Sequence, residues 1–269
     1  MPPSTLPAPS APNPACVVNC ALYGPGGKRD ILLDDISDVL AVDDGSFVWI
    51  GLFEPDRAVL ATLQAEFGLH DLAIEDAGKA HQRPKIEAYG DSLFIVANTA
   101  QAIDERIAYG ETHVFLGARY LVTVRHGASL SYAPARQRVE REPGLLALGP
   151  SAALYAVLDA IVDNYLPIVD DFTATLNALE KDIVSERFHR GIVIRLYQLK
   201  RELTYMRVAV THCRMCSRTW CAATARWFRP KPGSTSATCS IIRCASTTPS
   251  MRSATCSAPR WASIRRWSR

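Results

Sequence analysis

The first half of the chain alternates apolar and polar positions in short runs, and the second half changes rhythm. "CVVNCALY" (16–23) and "RDILL" (29–33) have the period-2 pattern of strands, and "GPGGK" between them reads as a hairpin turn. That Gly-Lys stretch lacks the spacing of a phosphate loop, and no helix pattern follows it. "FVWIGL" (47–52) is a further strand. Pro55 opens a helix to about Phe67, because a proline at an early helical position forfeits no hydrogen bond. "HDLAIEDA" predicts a short helix over 71–77. Residues 86–97 hold two strand patterns broken at Gly90-Asp91, and "THVFLGARYLVTVRH" is a hairpin turning at Gly117. Strands mixed with helices predict an α/β domain over residues 16–150, with a mixed sheet in an α/β/α arrangement.

From residue 151 the period becomes helical. Leu154, Leu158, Ile161, Tyr165, Ile168, Phe172, Leu176, Leu179 and Ile183 follow one another in steps of three and four, which predicts a long amphipathic helix. "SERFHRG" reads as a turn, with Gly191 available for a left-handed conformation. Leu196, Leu199, Leu203, Met206 and Val210 continue the rhythm in a second helix. Two long helices joined by a short loop pack antiparallel, so residues 151–210 are expected to form helical arms.

After Val210 the seam stops without a cap, and composition changes at nearly the same place. All 27 Asp and Glu lie at or before Glu202, giving −9 for residues 1–202 and +12 for 203–269. Six of the eight cysteines and four of the five tryptophans follow Val210. Residues 211–269 are expected to be an unstructured tail. "CRMCSRTWC" (213–221), preceded by His212, invites a zinc reading, but Cys213, Cys216 and Cys221 complete no zinc pattern and no second Cys-x-x-Cys follows. Residues 1–15 hold six prolines in the first fourteen positions and lack the basic start and apolar stretch of a signal peptide. They are expected to be a disordered, Pro-rich tail. The most apolar stretch, 152–169, carries Asp159 and Asp163, so no membrane span is expected in this chain, and a cytoplasmic location follows.

"LHDLAIEDAGKAHQRPKIEAYGDSLFIV" (69–96), "AIVDNYLPIVDDFTATLNALEKDI" (160–183) and "QLKREL" (198–203) resemble, in order and spacing, the CorA-type magnesium/cobalt transporter family. "HQRPK" is the most specific local match. The resemblance covers about residues 17–210 and implies a homopentameric divalent-cation channel, not an enzyme, transporting Mg²⁺ and Co²⁺. It implies a membrane protein whose matching part is cytoplasmic. The family's two transmembrane helices, its Gly-Met-Asn signature and its Phe-Arg-Asp-Val-Tyr/Phe-Asp-His stalk stretch are missing from the written sequence, so the chain is expected to be inactive in transport. Reading the codons one base over makes "GSTSATCSII" (233–242) compatible with Arg-Leu-Tyr-Phe-Arg-Asp-Val-Phe-Asp-His, the missing stretch. An out-of-frame tail from about Thr211 is therefore expected.

The resemblance singles out Glu75 and Asp76, which match an acidic pair where a divalent ion bridges neighbouring subunits. Mg²⁺ is hard and keeps much of its water, so one or two carboxylates per subunit suffice. The family's partner aspartate belongs to the stalk stretch, here spelled "TSATCS". Read without the resemblance, a Glu-Asp pair is a solvated helix face. Asp159, Asp163 and Asp170, at i, i+4 and i+11, share one helical face. The resemblance implies that such acidic arms concentrate hydrated cations; the alternative is a solvated face. His81, Arg83 and Lys85 of "HQRPK" are read as structural. His113 sits in a strand with no Cys, Asp or Ser partner in sequence reach, and no nucleophile–base pair is visible. The rival reading is a soluble binding module whose basic tail holds nucleic acid or anionic lipid, although nucleic acid is not an expected partner. A third is a soluble magnesium sensor of the same descent.

Overall fold

A computed structural model of the chain describes residues 12–103, 106–184 and 190–227, with residues 210–227 described by backbone alone. The strands are β1 (Val17–Gly24), β2 (Gly27–Asp30), β3 (Phe47–Phe53), β4 (Lys85–Tyr89), β5 (Ser92–Ile103), β6 (Arg106–Leu116) and β7 (Tyr120–Gly127). They form one sheet in the order β2-β1-β3-β7-β6-β5-β4. Only β3 and β7 pair in parallel, which makes the sheet mixed as expected. The helices are α1 (Ile36–Leu40), α2 (Arg57–Phe67), α3 (Asp71–Ala77), α4 (Ala133–Glu140), α5 (Pro143–Leu146), α6 (Pro150–Val184) and α7 (Arg190–Trp227).

Alternation along β3 divides the core into two layers. Val48, Ile50 and Leu52 face Val59, Leu60 and Leu63 of α2 and Ala73 and Ala77 of α3. Trp49 faces the other side, where the guanidinium of Arg136 on α4 lies 4.1 Å from its ring centroid. α6 covers this second face, with Ala153, Leu154, Ala156 and Val157 fully buried. The result is the expected α/β/α sandwich. The described residues up to Val210 belong to one compact unit, so the boundary drawn at 150 falls inside a single core. α6 is continuous with that core because its first turns carry the small and branched residues that cover the sheet.

Several boundaries differ from the sequence expectation for local reasons. α2 begins at Arg57 rather than at Pro55, because the Asp56 carboxylate accepts the Val59 N–H at 2.9 Å and caps the helix. β2 ends at Asp30. The Asn13 side chain accepts the Leu33 N–H and donates to the Ile31 carbonyl, and a 3₁₀ turn (Leu33–Asp35) follows. Gly191 is helical and forms no left-handed turn, since α7 already starts at Arg190.

α6 and α7 form the long helical hairpin. Along α6 the seam is buried from Leu154 to Phe172 and again at Leu179, while Leu176 and Ile183 are exposed. Leu176 lines a groove with Leu196, Leu199 and Leu203 of α7. α7 continues to Trp227, which corrects the expectation of an unstructured chain from 211. A seam that ends removes packing, not helix propensity, and no Gly or Pro interrupts residues 192–227. The rest of the tail, the Pro-rich start before residue 12 and residues 104–105 and 185–189 lie outside the described residues. α6 is the one described helix long and apolar enough to cross a membrane. Of its most apolar window, 56% is buried within the domain.

Candidate divalent-cation site

α3 is fixed at both ends, and this positions its acidic pair. At its start the His70 ring accepts the Leu72 N–H and stacks on Tyr89 with centroids 4.2 Å apart. At its end a ring nitrogen of buried His126 lies 2.9 Å from the Ala77 carbonyl oxygen. The other ring nitrogen lies 3.1 Å from a Glu54 oxygen, so both face acceptors. Glu54 also accepts the Gly127 N–H. These two bonds, that from Gly127 first, hold its carboxyl below the ordinary glutamate value.

The loop from α3 to β4 is held by Glu111, which is 4% exposed. One of its oxygens accepts the His81 N–H and the other the Gln82 N–H, at 2.9 Å in the second case. His81 has a positive φ of 72°, and the buried carboxylate fixes it there. Burial works against the Glu111 carboxylate, but His113 beside it and the two amides outweigh this and keep it below the usual glutamate value. His113 Nε2 lies 3.5 Å from Glu111, near enough for charge attraction but not aligned as a hydrogen bond. The "HQRPK" segment is thus shaped from beneath by residues about thirty positions away.

Glu75 and Asp76 leave α3 in different directions. Glu75 points to solvent and pairs with Lys79 one turn on, at 2.5 Å. Asp76 turns toward β4, where its carboxylate accepts a bond from Lys85 Nζ at 2.7 Å. The same Lys85 nitrogen reaches Glu87 at 2.6 Å, and the Tyr89 hydroxyl donates to that Glu87 oxygen at 2.7 Å. The Lys85 ammonium also lies 5.6 Å from the Phe94 ring centroid. Burial opposes this ammonium, yet its bonds to Asp76 and Glu87 raise its pKa above the ordinary lysine value. Lys85 in turn, with help from Tyr89, lowers that of Glu87. Asp76 and Glu87 both reach one nitrogen, and carboxylate oxygens are the hard donors that suit Mg²⁺. Among the described residues no group of three or more His, Cys, Asp or Glu is placed to hold a metal. Among the described residues, the carboxylates at this site make up part of a coordination shell.

The second acidic group is not brought together as a solvated face. Asp159 is buried and bonded to Arg138 of α4 at 2.8 Å, whereas Asp163 and Asp170 are exposed. Lys85, Glu111 and His126 have no sequence signal as a site, because each acts on a partner in another element, while Glu87 joins Lys85 and Tyr89 through the period-2 spacing of β4 itself. Cys213, Cys216 and Cys221 lie in the backbone-only part of α7.

Residues 44–232 match the model of the family described as CorA-like Mg2+ transporter protein. The chain belongs to the CorA-like family. It is 27% identical over 187 residues to the cobalt/magnesium transport protein CorA of Thermotoga maritima, covering 68% of this chain and 53% of that protein. The chain thus spans about half the length of the curated relatives it matches. The soluble domain of CorA from Methanocaldococcus jannaschii superposes with a TM-score of 0.60 at 18% identity, over 84% of this chain and 86% of that one. The ZntB cytoplasmic domain from Vibrio parahaemolyticus also gives 0.60, at 8% identity, over 85% and 86%. At these identities the two structures bear on the fold alone, and they share it with this CorA-like chain.

Proposed function

We propose that this chain is the ion-sensing cytoplasmic part of a CorA-type channel for Mg²⁺ and Co²⁺, and that Asp76, with Glu75 beside it, is its regulatory divalent-cation contact. The family match over residues 44–232 carries the reading. The position of Asp76, anchored on a helix pinned at both ends, supports it. In the family's homopentamer a neighbouring subunit's stalk aspartate completes the shell; in this chain that stretch reads "TSATCS", so the site is half-built until the frame is restored. Expressed as these 269 residues, the chain is not expected to carry Mg²⁺ across a membrane, since the apolar face of α6 is committed to the sheet. We also propose that residues from about 211 on are translated out of frame, which accounts for the break in charge after Glu202. The test of the sensing role is calorimetric titration of the full chain with Mg²⁺. Binding that Asp76→Asn abolishes supports it, and binding that Asp76→Asn leaves unchanged refutes it.

A further inference from the structure

Each carboxylate of the acidic pair already holds an ammonium group, but the two pairs differ. Lys79 and Glu75 are neighbours on one helix, both more than half exposed, and such pairs are weak and interchangeable with solvent. Lys85 and Asp76 lie on different elements, and their side chains are only 29% and 24% exposed. The Lys85 ammonium lies 5.6 Å from the Phe94 ring centroid and is gripped by both Asp76 and Glu87. Tyr89, which itself stacks on His70 at the cap of α3, donates to the Glu87 oxygen that Lys85 also contacts. The nitrogen thus stands where oxygen donors from α3 and β4 converge.

We infer that Lys85 is a tethered competitor for the divalent cation: it occupies the space between Asp76 and Glu87, and an ion binds Asp76 only by displacing it. The inference rests on Asp76 being the ion contact. Two consequences follow. Lys85 sets the ion concentration at which the site fills, because a resident cation within 3 Å of the carboxylates must be moved before a second charge enters. Filling the site also breaks the Asp76–Lys85 bond, since that bond and the ion exclude each other, and replaces it with an ion held between α3 and β4. Glu87, two residues from Lys85 on the same face of β4, gains a role from that spacing. It keeps Lys85 in place when the ion is absent and is available as a second oxygen donor when Lys85 leaves.

The experiment is a Mg²⁺ titration by calorimetry of the full chain and of Lys85→Met, Lys85→Gln, Lys85→Arg, Asp76→Asn and Lys85→Met/Asp76→Asn. Circular dichroism confirms folding of each. The two neutral lysine variants are expected to bind Mg²⁺ about two- to fivefold more tightly, the scale of one partly screened pair. Lys85→Arg keeps the charge and is expected to bind like the parent, and the double variant is expected to lose the tight binding. If Asp76→Asn abolishes binding but both neutral variants bind no more tightly than the parent, the competition is overturned and the site stands. If Asp76→Asn changes nothing in either background, the site itself is overturned. Absence of binding by all variants overturns both. Should Lys85→Met fail to fold, Lys85→Gln carries the comparison, because its amide still donates to Asp76 without a charge.

Discussion

Asp159 on α6 and Arg138 on α4 meet at 2.8 Å, and the aspartate is buried beneath the contact. The bond fastens α6 to α4 on the face of the sheet opposite α3. Asp159→Ala leaves the guanidinium without this partner and opens a buried gap, so it is expected to cost about 2 kcal/mol. Asp170→Ala, at an exposed position of the same helical face, is expected to stay within about 0.5 kcal/mol. Urea denaturation of the two variants checks the contrast.

Glu111 makes stability depend on acid. Its carboxyl titrates below the usual glutamate value of 4.5 in the folded chain, so its contribution is fully present above that value. That contribution is lost as the pH falls through the lowered folded value. Glu111→Gln is expected to destabilise the protein by about 1–3 kcal/mol at pH 7, and the difference from the parent is expected to shrink below about pH 4.5. Thermal unfolding of both proteins between pH 3 and 7 tests this. A difference that stays constant across the range contradicts it.

Gly110 is fixed by close approach of backbone. A Cβ placed there would lie 2.5 Å from the His126 carbonyl oxygen and 2.7 Å from backbone atoms of Ala128, none of which is a flexible side-chain end. Gly110→Ala is therefore expected to cost about 3 kcal/mol through displacement of the β6–β7 pairing. Denaturant titration of the variant measures it.

What the chain's pattern reveals and what it hides divide along physical lines. α3 matches its expected 71–77 because its capping and apolar spacing are local. The hairpin of β6 and β7 was legible from alternation and Gly117, where a side chain would collide with the Tyr120 ring. Helical periodicity groups Asp159 with Asp163 and Asp170 by face and carries nothing about α4, which covers one end of that face. Lys85 and Glu111 give no local sign of their roles, because their partners lie nine and about thirty residues away. The apolar seam ends at Val210 in the sequence, but the helix runs on to Trp227.

The proposed change of frame is checked in the coding DNA. Independent reads across codons 205–215 are expected to show a one-base insertion or deletion relative to the frame that restores an acidic, amphipathic helix. A single intact frame consistent with related genes would sink the idea.

The central claim is that a divalent ion acting at Asp76 links neighbouring copies through the stalk aspartate. Sedimentation velocity, with and without Mg²⁺, of a parent chain whose frame is restored from codon 211 to codon 269 tests it most directly. The account predicts that Mg²⁺ shifts this parent to a larger species and leaves its Asp76→Asn variant unshifted. An equal shift in both proteins, or none in the parent, would contradict it.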